Sequence, residues 1–203
     1  MIITISREYG SGGGEIAHKL AEVLGIPCYD KTVAQLTASI SGFSKECIDE
    51  AEDKVTGIFQ YFGGVYNSGN LPIYDRIYLK QREAIIQLAK RGDCVIVGRC
   101  AAHILEEEGM PALNVFVYAP MPDRIKRIAE KFGISDKEAE KAIRKKDSFR
   151  RNYYKRYAYA DWGAREYYHM LINSTIGIDK AVKIIVDLDE NAKTSEKTQK
   201  VEE

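Results

Sequence analysis

The sequence predicts a three-layer α/β protein in which helices flank a parallel sheet, and two observations lead to this prediction. An apolar, β-branched run at residues 2–6 is followed at once by a glycine cluster and then by apolar residues at helical spacing. Further short apolar runs at residues 94–97 and 113–118 alternate with longer helical patterns. Such alternation is typical of parallel sheets, whose strands are buried on both faces and joined by helical crossovers.

The first strand, loop and helix are the clearest part of this pattern. The apolar run at 2–6 predicts a buried strand, and apolar residues from Ile16 to Leu24 recur with the period of a helix. Gly25 is placed to end that helix, and residues 26–29 predict a short second strand. This order of strand, loop, helix and strand opens a parallel sheet.

The remaining elements follow from periodicity and from end signals. Helix is predicted over residues 31–60, with a break around Ser41 to Ser44, and the glycine- and asparagine-rich segment 61–73 predicts a mobile loop. Ser135, with Glu138 three residues later, predicts a capping box that opens a long basic helix. Further helices are predicted at 74–91, 100–108, 121–132 and 178–188, and further strands at 94–97, 113–118 and 169–172.

Composition restricts the classes of protein that this chain can belong to. Its 203 residues, 45% of them hydrophobic, are enough for one domain with a real core. Lys plus Arg and Asp plus Glu are 30 each, and this formal neutrality argues against a general nucleic-acid binder. The sequence shows neither a secretory signal nor an apolar run long enough to cross a membrane, so we expect a cytoplasmic protein without a membrane partner.

The glycine cluster predicts a phosphate-binding loop of the P-loop kind. Glycines between a buried strand and a helix let backbone N–H groups surround an anion, which the helix dipole also attracts. We expect this site to comprise Gly10, Ser11, Gly12, Gly13, Gly14 and Glu15. The negative charge of Glu15 either interacts favourably with the positive end of the helix dipole or orients Mg²⁺ through water. The alternative is a glycine-rich turn that binds no ligand.

The loop does not match the motif GxxxxGK[ST]. Gly13 stands where the lysine belongs, and Gly14 stands where the Ser or Thr belongs. Arg7, just before the loop, is the candidate replacement for the lysine, although it could instead form an ordinary surface salt bridge. If the chain binds a nucleotide without transferring a phosphoryl group, the substitution Gly13→Lys should raise its affinity for phosphate.

Four segments together resemble the cytidylate kinase-like family, a divergent branch of the P-loop nucleoside monophosphate kinases. They are ISREYGSGGGEIAHKLAEVLGIPCYDK, CVIVGRC, DWG and INSTIGID, and the resemblance extends to about residue 188. It implies a single P-loop kinase-like domain at 1–189, with a helical acceptor-site insertion at about 31–80 and a basic helical lid at about 133–165. Residues 190–203 are then a flexible charged tail.

The resemblance also implies substrates and ligand-binding residues. ATP would bind the loop with Mg²⁺, held through the nucleotide and water, and nucleotides would be the substrates, with CMP or dCMP as acceptor. Asp30 would lie at the acceptor site, and Arg99 would grip the acceptor monophosphate. Close members of the family are expected to carry an arginine at position 14, where this chain has Gly14.

The basic stretch after residue 140 supplies further candidate catalytic cations. Phosphoryl transfer needs positive charge around the transferring group, so Lys146, Arg150 and Arg151 are expected to face the phosphates together with Arg7. The alternative is a solvated helix face with pairs such as Glu140–Arg144. Tyrosines interleave with these cations, which favours a lid hinge or a homodimer interface over stacking on single-stranded nucleic acid.

Two other functions stay open on sequence grounds. The unusual 31–80 segment could accept a small molecule other than a nucleotide on the same scaffold. Because the loop lysine and hydroxyl are absent, the chain could also be a nucleotide-binding or interaction protein that does not transfer a phosphoryl group.

Overall fold

The computed structural model describes residues 1–44, 48 and 71–188, and it contains a five-stranded parallel sheet. The spatial order of the strands is β2-β3-β1-β4-β5. The strands are β1 (Ile2–Arg7), β2 (Cys28–Tyr29), β3 (Cys94–Val97), β4 (Ala112–Tyr118) and β5 (Met170–Asn173). The carboxyl ends of all these strands therefore meet at one edge, where open parallel sheets bind their ligands.

Helices cover both faces of this sheet. They are α1 (Gly13–Leu24), α2 (Lys31–Ser41), α3 (Ile73–Ala89), α4 (Ala101–Glu107), α5 (Met121–Phe132), α6 (Asp136–Tyr157) and α7, which begins at 178 and is helical through 188. None of the helices in these described ranges is long and apolar enough to span a membrane. The cytoplasmic location stays a prediction.

Two buried clusters lie on opposite faces of the sheet. On one face Ile3 and Ile5 of β1 pack with α1 and α7, around Leu20 and Ile185. On the other face Ile96 of β3 packs with apolar residues of α3 and α4 and with tyrosines of α6. The central strands are mostly apolar because both of their faces are covered. The predicted three-layer α/β fold is therefore confirmed.

Element ends differ from the predictions by one or two residues. The strands predicted at 26–29 and 169–172 lie at Cys28–Tyr29 and Met170–Asn173, while 94–97 and 121–132 are as predicted. The capping box at Ser135 is present. The first predicted helix of the insertion ends at Ser41, but its continuation, most of the 61–73 loop and the 190–203 tail lie outside the described residues.

Candidate active site

The glycine loop lies between β1 and α1, at the carboxyl edge of the sheet. Gly10 and Gly12 have φ angles of 83° and 80°, a backbone conformation that residues other than glycine rarely adopt. Gly12 is the N-cap of α1, so the helix end has no side-chain cap. The N–H groups of the first turn cannot be satisfied within the helix, and together with the helix dipole they form a site for an anion.

Ser11 stabilises this loop through buried hydrogen bonds to the backbone. Its side chain is buried, and its hydroxyl donates to the carbonyl oxygens of Glu8 at 2.9 Å and Val117 at 3.2 Å. Its backbone N–H donates to the Glu8 carbonyl at 3.3 Å. The structure therefore places the hydroxyl toward the sheet, and the predicted contact of Ser11 with phosphate stays a prediction.

The side chain of Arg7 lies directly over Gly13. A Cβ atom at position 13 would lie 2.5 Å from Cβ of Arg7 and 3.0 Å from its Cγ. A Cβ at Gly98 would overlap Nη1 of Arg7, and Nη2 lies 3.6 Å from Oδ1 of Asp30. Arg7 thus occupies the space in which a lysine at position 13 would begin. The affinity expected of Gly13→Lys stays a prediction, and the change requires Arg7 to move.

A second arginine borders the loop on the other side. Nη1 of Arg127 on α5 lies 2.8 Å from Oε2 of Glu15, and a Cβ at Gly12 would lie 3.2 Å from the Arg127 guanidinium. Glu15 is in the first turn of α1, where its charge also complements the helix dipole. The sequence predicted a helix at 121–132 but gave no reason to choose Arg127.

Arg150, on α6, lies against Arg7 beside the glycine loop. Its Nη1 donates to the backbone carbonyl of Arg7 at 2.6 Å, and its guanidinium carbon lies 5.7 Å from the centre of the Tyr9 ring. Burial, and then the nearby charge of Arg7, lowers the pKa of Arg150 to about 9. Two guanidinium groups held together in this way favour a bound anion, which would offset their repulsion.

Asp147 connects α6 to the glycine loop through a hydrogen bond and an ion pair. Its Oδ1 accepts a hydrogen bond from the backbone N–H of Tyr9 at 2.8 Å, and its Oδ2 pairs with the buried guanidinium of Arg124. Arg124 also lies 3.4 Å from Oε2 of Glu8 through Nε, within ion-pair range but without hydrogen-bond alignment. The sequence gave no signal for this network because its members come from three separate segments.

The other end of α6 is fastened to α3. Asp75 accepts two hydrogen bonds from Nη2 of Arg156, at 2.7 and 2.8 Å, and one from the Tyr157 hydroxyl at 2.9 Å. The ring of Tyr78 stacks on that of Tyr157 with 3.9 Å between centroids. The helix predicted to act as a lid is therefore anchored both to the loop and to the helix that follows the insertion.

A cavity of about 220 Å³ lies between the ends of β1 and β3 and the helices α3 and α6. Arg99 reaches it through a left-handed turn, with φ 55° at Arg99 and 56° at Cys100. Its cations are Arg7, Arg99, Lys146 and Arg150, and its other side chains include Gln81, Cys100, Phe149, Tyr153, Tyr154 and Trp162. Burial raises the pKa of the Cys100 thiol well above its usual range, so this cysteine is a packing residue.

A larger cavity of about 760 Å³ lies over the glycine loop and meets the first one. Arg7, Tyr9 and Arg150 line both. The predicted residues on the larger cavity are Arg7, Gly10, Gly12, Gly13, Gly14, Glu15, Asp30 and Arg150. Asp30 thus lies beside the loop, whereas the exposed Arg151 lines neither cavity. The predicted roles of all these residues stay predictions.

A third cavity, of about 490 Å³, shares Gly10 and Arg127 with the loop cavity. It extends toward Ala119, at the end of β4, and toward the turn at Ser174 to Gly177 after β5. The glycine loop is therefore bordered by space on two sides, one toward Arg99 and the other toward the edge of the sheet.

Comparisons with known proteins agree with this geometry. The model of the family described as "Cytidylate kinase-like family" matches residues 2–176. A curated relative named cytidylate kinase, from Pyrococcus horikoshii, is 27% identical over 192 residues, which are 92% of this chain and 88% of the relative.

Solved structures with the same fold cover nearly the whole chain. A protein from Eubacterium ventriosum, described as uncharacterized, superposes with a TM-score of 0.67 at 28% identity over 93% of this chain and 97% of that one. Shikimate kinase from Bacteroides thetaiotaomicron gives 0.54 at 14% identity, over 94% and 98% of the two chains. Deoxyadenosine kinase from M. mycoides with bound dATP gives 0.52 at 13% identity, over 94% and 100%. At these identities the two kinases indicate the fold alone.

Proposed function

The chain belongs to the cytidylate kinase-like family, and from that premise we propose that it transfers the γ-phosphoryl group of ATP to a nucleoside monophosphate, with CMP or dCMP as the acceptor. The family and the shared kinase fold support phosphoryl transfer of a kinase type. The identity of the acceptor is the proposal's own step.

One observation carries the proposal: two cavities rich in cations meet at Arg7 and Arg150. A kinase must bring a donor and an acceptor phosphate together although both are negatively charged. Guanidinium groups at the junction of the two cavities would neutralise that charge, and they would also stabilise the charge that spreads over the transferring group. A protein that only binds one nucleotide has no need of a second cationic cavity at this point.

The donor fits the loop cavity. Its phosphates would lie at the first turn of α1, where backbone N–H groups point outward. Arg7 would supply the charge that the loop lysine gives in other P-loop proteins, because it occupies the space over Gly13. Arg127 would contact the same phosphates from the other side, and the cavity beside Gly10 has room for the base.

The residues around the loop also fit the Mg²⁺ that accompanies ATP. Asp30 and Glu15 place carboxylates on the wall of the loop cavity, and carboxylate oxygens are ligands that Mg²⁺ prefers. Each already pairs with an arginine, so each would hold the ion through water rather than directly. When bound, Mg²⁺ neutralises developing charge on the phosphates.

The acceptor fits the smaller cavity. Arg99 and Lys146 line it together with the two junction arginines, so a monophosphate placed there faces the loop. Residues between the two cavities hold both partners in position, and positioning with electrostatic stabilisation is sufficient for this chemistry.

The test is release of ADP with ATP, Mg²⁺ and each nucleoside monophosphate in turn. We expect turnover with CMP or dCMP and its loss in Arg99→Ala, whereas Arg91→Ala, at an exposed arginine just before β3, should behave like the wild type. Absence of turnover with every monophosphate at millimolar ATP would refute the proposal. Turnover with another acceptor would favour a different small-molecule kinase, and an ATP-induced rise in Tm without turnover would favour a binding protein.

A further inference from the structure

Three buried hydroxyl groups lie together beside the smaller cavity. They belong to Ser6 on β1, Tyr154 on α6 and Tyr168 just before β5, and these residues are 4%, 5% and 8% exposed. The hydroxyl oxygens of Ser6 and Tyr154 are 3.3 Å apart, and either group can donate this hydrogen bond. Because Ser6 and Tyr154 also line the cavity, the hydroxyl cluster formed by these three residues borders the space proposed for the acceptor.

The hydroxyl of Tyr168 is buried without a hydrogen bond. In the part of the chain that the structure describes, no donor or acceptor meets it in hydrogen-bond alignment. Burial raises the pKa of Tyr168, whereas the nearby hydroxyls of Ser6 and Tyr154 act in the opposite direction, so the Tyr168 oxygen faces these two groups. A buried polar group without a partner is rare in native proteins and calls for an explanation.

The cluster can both donate and accept hydrogen bonds. Each hydroxyl carries a proton and accepting lone pairs, and the contact between Ser6 and Tyr154 uses only part of this capacity. Burial raises the pKa of Tyr154 and of Tyr168, so both phenols keep their protons. The cluster is therefore neutral. It matches another alcohol, which also donates and accepts, better than an ionised phosphate, which cannot donate.

The position of the cluster suits the sugar of an acceptor nucleotide. Ser6 immediately precedes Arg7, which lies with Arg150 at the junction of the two cavities, where the acceptor phosphate is proposed to bind. In a nucleoside monophosphate the sugar is joined to the phosphate through a single CH₂–O link, so it lies directly beyond that phosphate. The cations thus suit the phosphate and the neighbouring hydroxyls suit the sugar.

We propose that the hydroxyl cluster binds a sugar hydroxyl of the acceptor nucleotide, with Ser6 and Tyr154 in contact with the sugar and Tyr168 positioning them. This inference rests on the proposed function, because it places the acceptor in the same cavity. The sugar hydroxyl is that of the 2′ or the 3′ carbon. Both offer the same chemistry, and the experiment separates them.

The test compares the acceptor nucleotide with its deoxy analogues. For each protein, kcat/KM is measured for CMP, 2′-deoxy-CMP and 3′-deoxy-CMP, or for the same analogues of whichever nucleoside monophosphate turns over best, together with the KM for ATP and the Tm. The variants are Ser6→Ala and Tyr168→Phe, each of which removes one hydroxyl. Tyr167→Phe is the matched control, because Tyr167 is the neighbouring tyrosine and is 43% exposed.

In the wild type, kcat/KM for CMP should exceed that for one deoxy analogue about tenfold, the factor expected of one hydrogen bond. Ser6→Ala should bring this ratio toward one by lowering kcat/KM for CMP, with the KM for ATP unchanged. Tyr168→Phe should move the ratio in the same direction by a smaller factor, and Tyr167→Phe should leave it as it is.

Two results would overturn the inference. One is equal kcat/KM for all three nucleotides in the wild type, which needs no variant to fold. The other is an equal fall for CMP and both analogues in Ser6→Ala and Tyr168→Phe, because a cluster that only stabilises the fold lowers all activity alike.

Calorimetric binding of CMP and its deoxy analogues without ATP separates this inference from the proposed function. Binding that depends on a sugar hydroxyl and loses this dependence in Ser6→Ala, in a protein without turnover, would support the hydroxyl cluster and refute the kinase proposal. Turnover with a ratio indifferent to Ser6 and Tyr168 would do the reverse. Failure to bind any nucleoside monophosphate would overturn both.

Discussion

The contact between Arg7 and Gly13 predicts that adding one methyl group at the start of α1 destabilises the protein. Helix propensity alone predicts the opposite, since alanine stabilises a helix by about 0.5–1 kcal/mol relative to glycine. A Cβ at position 13 would, however, lie 2.5 Å from Cβ of Arg7 and 3.2 Å from Cβ of Val117. Crowding of this kind destabilises a protein by about 1–3 kcal/mol. After the gain in helix propensity is subtracted, Gly13→Ala should lower the free energy of unfolding by about 1–2 kcal/mol.

Gly14 provides the matched control. It is the next residue of the same helix, and a Cβ there would meet no atom within 4 Å. Gly14→Ala should therefore be neutral or stabilising. Urea denaturation gives both free energies of unfolding, and for a chain of this size about 2 kcal/mol corresponds to a shift of roughly 4–8 °C in Tm. Equal stabilities of the two variants would refute the reasoning.

A double-mutant cycle identifies the clashing atom. Arg7→Gly removes both atoms of Arg7 that a new Cβ would meet, whereas Arg7→Ala keeps the Cβ at 2.5 Å. Gly13→Ala should therefore become roughly neutral in the Arg7→Gly background and stay destabilising in the Arg7→Ala background. Additivity in both backgrounds would show that Arg7 does not set the requirement for glycine at position 13.

Three further outcomes follow from the contacts of α6. Asp147→Asn should destabilise the protein by about 3 kcal/mol in urea denaturation, because it leaves the buried charge of Arg124 without its main partner. Asp75→Asn should lower the free energy of unfolding by about 1–2 kcal/mol, because charged hydrogen bonds from Arg156 are lost. Arg150→Met should lower kcat/KM in the ADP-release assay by about 100-fold, because Arg150 lies at the junction of the two cavities.

Exposed residues supply the controls for these variants. Glu140→Gln breaks an exposed pair with Arg144 on α6 and should change stability by less than about 0.5 kcal/mol. Glu83→Gln breaks the half-buried pair with Lys80 on α3 and should have a similarly small effect. Arg144→Met removes an exposed cation from the helix that carries Arg150 and should leave kcat/KM unchanged. A control effect as large as that of its buried counterpart would contradict the assigned contact.

The fold and the loop could be read from local sequence because local forces determine them. An apolar strand buried on both faces, glycines at positive φ and a helix N-terminus are each specified by neighbouring residues. The strands at 94–97 and 113–118 were predictable for the same reason. Membership of the family followed from the loop and the VGRC segment together, and the match over 2–176 confirms it.

The assembly of the site depended on contacts between distant segments, which the sequence does not display. Asp147 and Tyr9 are 138 residues apart, and Gln81 and Tyr153 are 72 apart. Nothing local distinguishes Asp147 from a surface charge on a basic helix, or Gln81 from the exposed Gln87 one and a half turns later.

By itself, the sequence determined a parallel α/β sheet with a glycine loop between its first strand and first helix, because backbone conformation and apolar periodicity are properties of contiguous residues. Tertiary structure alone decided that Arg7 fills the space over Gly13 and that Ser11 turns inward. It also decided that Arg150 rather than Arg151 reaches the junction of the cavities. The direction in which a side chain points depends on which other segments fold against it, and that is fixed only when the whole chain packs.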